Sequence, residues 1–78
     1  MRSIPNAGEV WIHYKRKLYK IICIAQQSKT GELIVVYQQL YEGQKIYYRS
    51  LDEFMEMLPD NAKKLYHTNY RFEKVRDR

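Results

Sequence analysis

The sequence predicts a mainly β fold, a small SH3-like or partly open antiparallel β-barrel of about five strands with one covering helix. Short segments of alternating apolar and aromatic residues follow one another along most of the chain. The three glycines, Gly8, Gly31 and Gly43, fall where this alternation changes phase, as is typical of turns between strands. With 78 residues, of which 45% are hydrophobic, the chain has material for one domain with one core.

The first four predicted strands form a meander over residues 9–14, 18–26, 32–41 and 44–49. Side chains alternate across a strand, so Trp11, His13 and Lys15 should share one face of the first strand. The opposite face should carry Val10, Ile12 and Tyr14. We expect this second face to be structural and the face of Trp11 to be available for binding. The turn at residues 15–17 has no glycine, which leaves its position open.

A helix should follow the fourth strand, because Ser50 and Glu53 form a capping box. The next apolar residues lie at helical spacing and predict about two turns that cover one end of the sheet, ending at Pro59. They are Leu51, Phe54, Met55 and Leu58. A second helical turn is expected over residues 61–66, capped by Asp60, and alternation over residues 70–75 predicts a closing strand.

These elements divide the chain into an N-terminal tail over residues 1–8, one small β-barrel domain over residues 9–75 and a basic tail over residues 76–78. The only cysteine, Cys23, lies in the apolar run IICIA and should be buried, which fits a reducing compartment. The first ten residues carry no apolar signal segment, and no apolar run is long enough to span a membrane. These features predict a cytoplasmic protein with no membrane contact.

Catalytic and metal-binding constellations are missing from the sequence. No serine has a nucleophile-elbow setting, and no two glycines lie close enough together to form a phosphate-binding loop. His13, His67 and Cys23 share no metal-ligand spacing. We therefore predict a non-enzymatic protein with no catalytic residue, no metal and no cofactor.

A ligand-binding surface is predicted where aromatic and cationic residues come together on one sheet face. The candidate ligand-binding residues are Trp11, His13, Lys15, Tyr37, Tyr41, Tyr47 and Arg49. Aromatic faces beside cations are used to stack single-stranded bases and also to line shallow peptide grooves. The alternative is that His13 and Arg49 are structural residues at the rim of the barrel, bonded to backbone carbonyls or to the helix end.

The segments GEVWIHYK, LYKIICIAQQSKTGELIVVYQQLY, KIYYRSLDEFMEML and YRFEKV together resemble the bacterial family known as domain of unknown function 1653. The resemblance runs from about Gly8 to Val75 and includes His13, Arg49 and Arg71. The sequence departs from the family pattern at six positions. These are Trp11 for tyrosine, Arg16 for the turn glycine, Gln27 for histidine, Tyr47 for tryptophan, Ser50 for proline and Glu53 for methionine. The resemblance implies a small cytoplasmic bacterial domain and supplies no activity.

Three functions stay open at this point. The first is nucleic-acid binding, favoured by the net charge of +5. The second is a protein-protein interaction or self-assembly module, such as a homodimer, built on apolar and tyrosine surface. The third is an enzyme acting on a nucleotide-like metabolite, for which His13 is the one natural general acid or base near neutral pH.

Overall fold

The computed structural model describes residues 2–75, in which five strands form a single antiparallel sheet. The elements in chain order are β1 (Val10–His13), β2 (Leu18–Gln26), β3 (Leu33–Gln39), β4 (Ile46–Ser50), α1 (Leu51–Phe54), α2 (Asp60–Tyr66) and β5 (Phe72–Lys74). The strand order is β4-β3-β2-β1-β5, so the sheet is open with β4 and β5 at its edges. The prediction of a mainly β, five-stranded antiparallel fold is confirmed, with two short helices. The predicted basic tail, residues 76–78, lies outside the described residues.

The helix after β4 is shorter than predicted. Ser50 caps it as expected, because its Oγ accepts a hydrogen bond from the Glu53 N–H at 3.1 Å. However, α1 ends at Phe54, and the backbone beyond it pairs with another segment. The Leu58 N–H donates to the Asn69 carbonyl at 2.8 Å, and Met57 forms an isolated bridge with Tyr70. Leu58 still reaches the interior, at 6% exposure.

The helix α2 begins near its predicted position but has a different cap. Pro59 occupies the N-cap position and makes no side-chain capping bond, so the prediction that Asp60 caps this helix was wrong. Asp60 is instead the first residue of the helix, where its carboxylate interacts favourably with the positive end of the helix dipole. The helix has seven residues, and no helix within residues 2–75 is both long and apolar enough to cross a membrane.

The core lies on one face of the sheet, beneath α1. Its buried side chains are Trp11, Ile21, Val35, Tyr37, Phe54 and Phe72. Trp11 is only 2% exposed, whereas Val10 and Ile12 on the opposite face are partly exposed. The expectation that the Trp11 face is open was therefore wrong, because α1 covers it. We call this covered face the inner face.

A β-bulge in β2 changes which face of the sheet carries Cys23. Ile21 lies opposite Tyr37, but Cys23 lies opposite Val36, so the register between β2 and β3 shifts by one residue. The shift moves Cys23 to the outer face, and its side chain is exposed rather than buried as predicted.

Two residues of the segment before β1, Arg2 and Pro5, pack against the rest of the protein. The Arg2 guanidinium donates to the carbonyls of Met55, at 3.1 Å, and Phe72. It also lies 3.7 Å from the centre of the Tyr70 ring. Pro5 is buried, whereas its neighbours Ile4 and Asn6 are exposed.

Candidate functional site

The inner face ends in a polar cluster where β1, β3, β4 and the residue before β5 meet. We call it the rim and define it as His13, Tyr37, Tyr41, Tyr47, Arg49 and Arg71. The strand register forms it, since Tyr37 lies opposite Tyr47 and Val35 lies opposite Arg49. Farther along the strand order, His13 of β1 lies opposite Phe72 of β5. Five of the seven predicted residues are thus in the rim, together with Arg71.

Arg49 is held in the rim by Tyr37. Its Nε–H donates to the Tyr37 hydroxyl at 3.0 Å. Tyr37 is only 4% exposed, and burial raises the pKa of its hydroxyl although the Arg49 charge opposes the rise. Arg49 is partly buried, and its one side-chain hydrogen bond within residues 2–75 goes to a neutral group. Most of its guanidinium N–H donors are therefore without a protein partner within residues 2–75.

His13 is neutral at pH 7 and is oriented by the turn that follows it. Burial, with the positive charges of Arg49, Arg71 and Lys15, lowers the pKa of His13 to about 4. Its Nδ1 accepts a hydrogen bond from the Lys15 N–H at 3.1 Å, so the proton of the neutral ring is on Nε2. The ring packs edge-on against Phe72, with centroids 4.9 Å apart. Among the described residues, 2–75, the Nε2–H of the imidazole has no hydrogen-bond partner, and it lies in the positive field of the neighbouring cations.

Arg71 also lies in the rim, although it is not among the candidate residues predicted from the sequence. Its Nη2 lies 2.7 Å from the Glu56 Oε1, and this side chain is 25% exposed. The Arg71 Nε–H is buried and has no hydrogen-bond partner within residues 2–75. The one signal in the sequence was the Arg-Phe pair that matches the end of the family pattern.

Tyr19 and Tyr41 connect the rim to the start of β2. Their hydroxyls lie 2.8 Å apart and form a hydrogen bond, and burial together with this bond raises the pKa of Tyr19. The Lys17 ammonium lies 5.1 Å from the Tyr41 ring centre. Tyr19 was missing from the predicted site, although its position opposite Trp11 on a strand places it on the same face.

The two remaining predicted residues lie apart from the rim. Trp11 shares the inner face but is buried against Phe54, with ring centroids 5.4 Å apart. The side chain is 2% exposed, so no face of the ring is free to stack on a ligand, and its indole N–H donates to the Glu9 carboxylate at 3.0 Å. Lys15 is exposed on the turn after β1, where its charge reaches His13. Tyr47, at 41% exposure, is the rim aromatic most accessible to a ligand.

Metal ligands do not come together in the part of the chain that the structure describes, since no group of three His, Cys, Asp or Glu side chains could hold an ion. The rim instead offers guanidinium, imidazole and hydroxyl donors. Such groups bind anions, and phosphate in particular.

The fold and the rim together define a small, mainly β domain in which basic and tyrosine side chains border the core. The sequence model of the family described as "Protein of unknown function (DUF1653)" matches residues 9–74. The chain belongs to this family. No curated protein and no solved structure matches it.

Proposed function

We propose that this domain is a non-enzymatic binding module whose rim holds a phosphate group of a nucleic acid. The observation that carries the proposal is the convergence of three positive charges, those of Arg49, Arg71 and Lys15, on the half-buried His13, whose pKa is lowered first by burial and further by these charges. Like charges placed together cost free energy unless a counter-charge offsets them. Glu56 pairs with Arg71, whereas Arg49 is bonded to a neutral hydroxyl. An anionic ligand would supply the missing negative charge.

The neighbouring side chains favour a nucleotide over a bare anion. Tyr47 is 41% exposed and lies beside Tyr37, with ring centroids 6.0 Å apart. An exposed tyrosine next to arginine donors can stack a base while the guanidinium binds the adjoining phosphate. The net charge of +5 adds long-range attraction to any polyanion. The proposed setting is the bacterial cytoplasm, which rests on the family resemblance.

The test is the binding of fluorescently labelled single-stranded DNA and RNA oligonucleotides, followed by anisotropy at several salt concentrations. Binding should weaken steeply as salt rises, because phosphate contacts release counterions. The variant Arg49→Gln should bind about 10-fold more weakly, since it loses a charge-assisted bond but keeps an amide near Tyr37.

The matched control is Lys29→Gln, which removes the same charge from the exposed turn between β2 and β3. It should lower the affinity much less than Arg49→Gln does. The proposal is wrong if neither oligonucleotide binds, if binding is insensitive to salt, or if the two variants lose affinity equally. Circular dichroism on both variants confirms that each is folded.

The second function predicted from the sequence, self-assembly, is supported by a different surface. Ile46 and Tyr48 lie at the free edge of the sheet and are 60% and 73% exposed.

A further inference from the structure

We propose that two copies of this chain associate through β4, pairing antiparallel across a two-fold axis at Tyr48 so that their sheets become continuous. The first support is the hydrogen-bonding pattern of β4. The Gln39 N–H donates to the Lys45 carbonyl at 3.0 Å, so the backbone groups of Lys45, Tyr47 and Arg49 point toward β3. Those of Ile46 and Tyr48 point away, into the open edge.

Two of the outer-face side chains of β4 are apolar and exposed. Ile46 is 60% and Tyr48 is 73% exposed. Tyr48 lies opposite Val36, which in turn lies opposite Cys23, so one row of apolar side chains crosses three strands. Exposed apolar residues beside unpaired backbone groups are features by which sheet edges recruit further strands.

The two edges of the sheet differ in how well they are protected from pairing with a strand of another molecule. At the other edge, β5 has three residues and exposes Glu73 and Lys74, and short charged edge strands resist pairing. By contrast, β4 has five residues, and its only charge, Arg49, faces the rim and is bonded to Tyr37. The edge open to another copy is therefore β4.

The charges at the two ends of β4 indicate a second copy as its partner and select the register. With Tyr48 opposite Tyr48, Lys45 of one copy lies beside the acidic first turn of α1, Asp52 and Glu53, of the other. The two-fold axis repeats this attraction at the other end of the strand. A register centred on Tyr47 would instead place Lys45 opposite Arg49, and like charges directly opposite each other destabilise a strand pair.

The first test is the molar mass in solution, measured by light scattering and sedimentation equilibrium over a range of concentrations. The wild-type protein should show a monomer–dimer equilibrium. Ile46→Lys should weaken the dimer at least 10-fold, because it places a charge at the edge of each copy. The matched control is Leu65→Lys, which makes the same change at a residue of α2 that is 69% exposed, and it should leave the dimer intact.

The second test addresses the register. Lys45→Glu should weaken the dimer, because it brings a third carboxylate to Asp52 and Glu53 of the other copy. Adding Asp52→Lys to that variant should restore part of the affinity. A dimer formed through any other surface would show no such rescue.

The third test uses the single thiol, Cys23, which is exposed and lies in the same row as Tyr48. Five strand spacings separate the two copies of Cys23 in the paired sheet, a Cα distance of about 24 Å at about 4.8 Å per spacing. Spin labels attached to Cys23 should give a distance near this value. A monomer at all concentrations, a dimer unaffected by Ile46→Lys, or labels more than about 40 Å apart would each overturn the proposal.

Discussion

The rings of Phe54 and Phe72 are stacked, with centroids 4.0 Å apart and planes 7° from parallel. Phe54 is the last residue of α1, and Phe72 is the first residue of the edge strand β5. Both are buried, at 0% and 1% exposure. Trp11 and Tyr37 each meet the Phe54 ring edge-on, with ring centroids 5.4 Å away. This stack is the contact through which the helix closes the core.

Phe54→Ala should lower the free energy of unfolding by about 3–5 kcal/mol, because it removes a buried aromatic ring and leaves a cavity. A domain of this size has little stability to lose, so the variant should be largely unfolded at 37 °C. Urea unfolding followed by circular dichroism measures the change. Leu65→Ala, at an exposed position of α2, should change the stability by less than about 0.5 kcal/mol. Equal losses in the two variants would contradict the central role of the stack.

Arg16→Gly should raise the stability by about 0.5–1 kcal/mol. Arg16 has a φ of 68°, a left-handed conformation that costs free energy for any residue with a Cβ. Glycine relieves this strain, although its more flexible unfolded chain offsets part of the gain. The neighbouring variant Lys17→Gly serves as the control, since it adds flexibility where there is no such strain to relieve, and it should be destabilising. Thermal unfolding should show a higher melting temperature for Arg16→Gly and a lower one for Lys17→Gly than for the wild-type protein.

Lowering the pH from 7 to 5 should destabilise the domain through His13. Its pKa is about 4 in the folded state, against about 6.5 in an unfolded chain. Between these values the unfolded state binds a proton that the folded state excludes, so stability falls as the pH falls. We expect a loss of about 1 kcal/mol by pH 5, allowing for solvent screening.

His13→Gln isolates this effect, since it keeps a polar side chain but has no proton to bind. Its free energy of unfolding should change less between pH 7 and pH 5 than that of the wild-type protein. Identical pH profiles would show that His13 does not cause the loss.

Glu9→Gln should destabilise the domain at pH 7 by about 1–3 kcal/mol, because hydrogen bonds to a charged group are strong. Burial opposes the charge of Glu9, but bonds from the Trp11 indole N–H, Asn6 and Lys74 outweigh it and lower the pKa to about 2. The stability that Glu9 supplies is therefore complete above about pH 4.5 and is lost as the pH falls toward 2.

The wild-type protein and Glu9→Gln should thus converge in stability as the solution is acidified, when measured by urea unfolding at each pH. Glu42→Gln, a change at an exposed carboxylate in the turn before β4, is the control. It should have little effect at any pH.

Local patterns were sufficient to predict most of the fold. Alternation located β2 at residues 18–26, and the Ser50–Glu53 spacing located the start of α1. The end of α1 was not predictable in this way, because it depends on Leu58 pairing with Asn69, a contact between segments distant in the sequence. The apolar run around Cys23 likewise carries no sign of which residue a bulge will displace.

The candidate site was predicted only in part: five of the seven predicted residues lie in the rim, and the burial of Trp11 was not foreseen. A period of two residues shows that Trp11 and His13 share a face, yet it cannot show which face a helix will cover. Both faces of β1 are apolar enough to be buried, and α1 decides between them. Arg71 was missed because it reaches His13 only when the end of the chain returns to pair with β1.

The burial of Trp11 gives the domain an internal reporter. It is the only tryptophan in the chain, it is 2% exposed, and its indole N–H is bonded to Glu9. Its emission should therefore lie at short wavelength in the folded state and move to longer wavelength only when the core opens. A ligand that stacks on Tyr47 should leave this emission unchanged, so the optical signals of unfolding and of binding at the rim are separate.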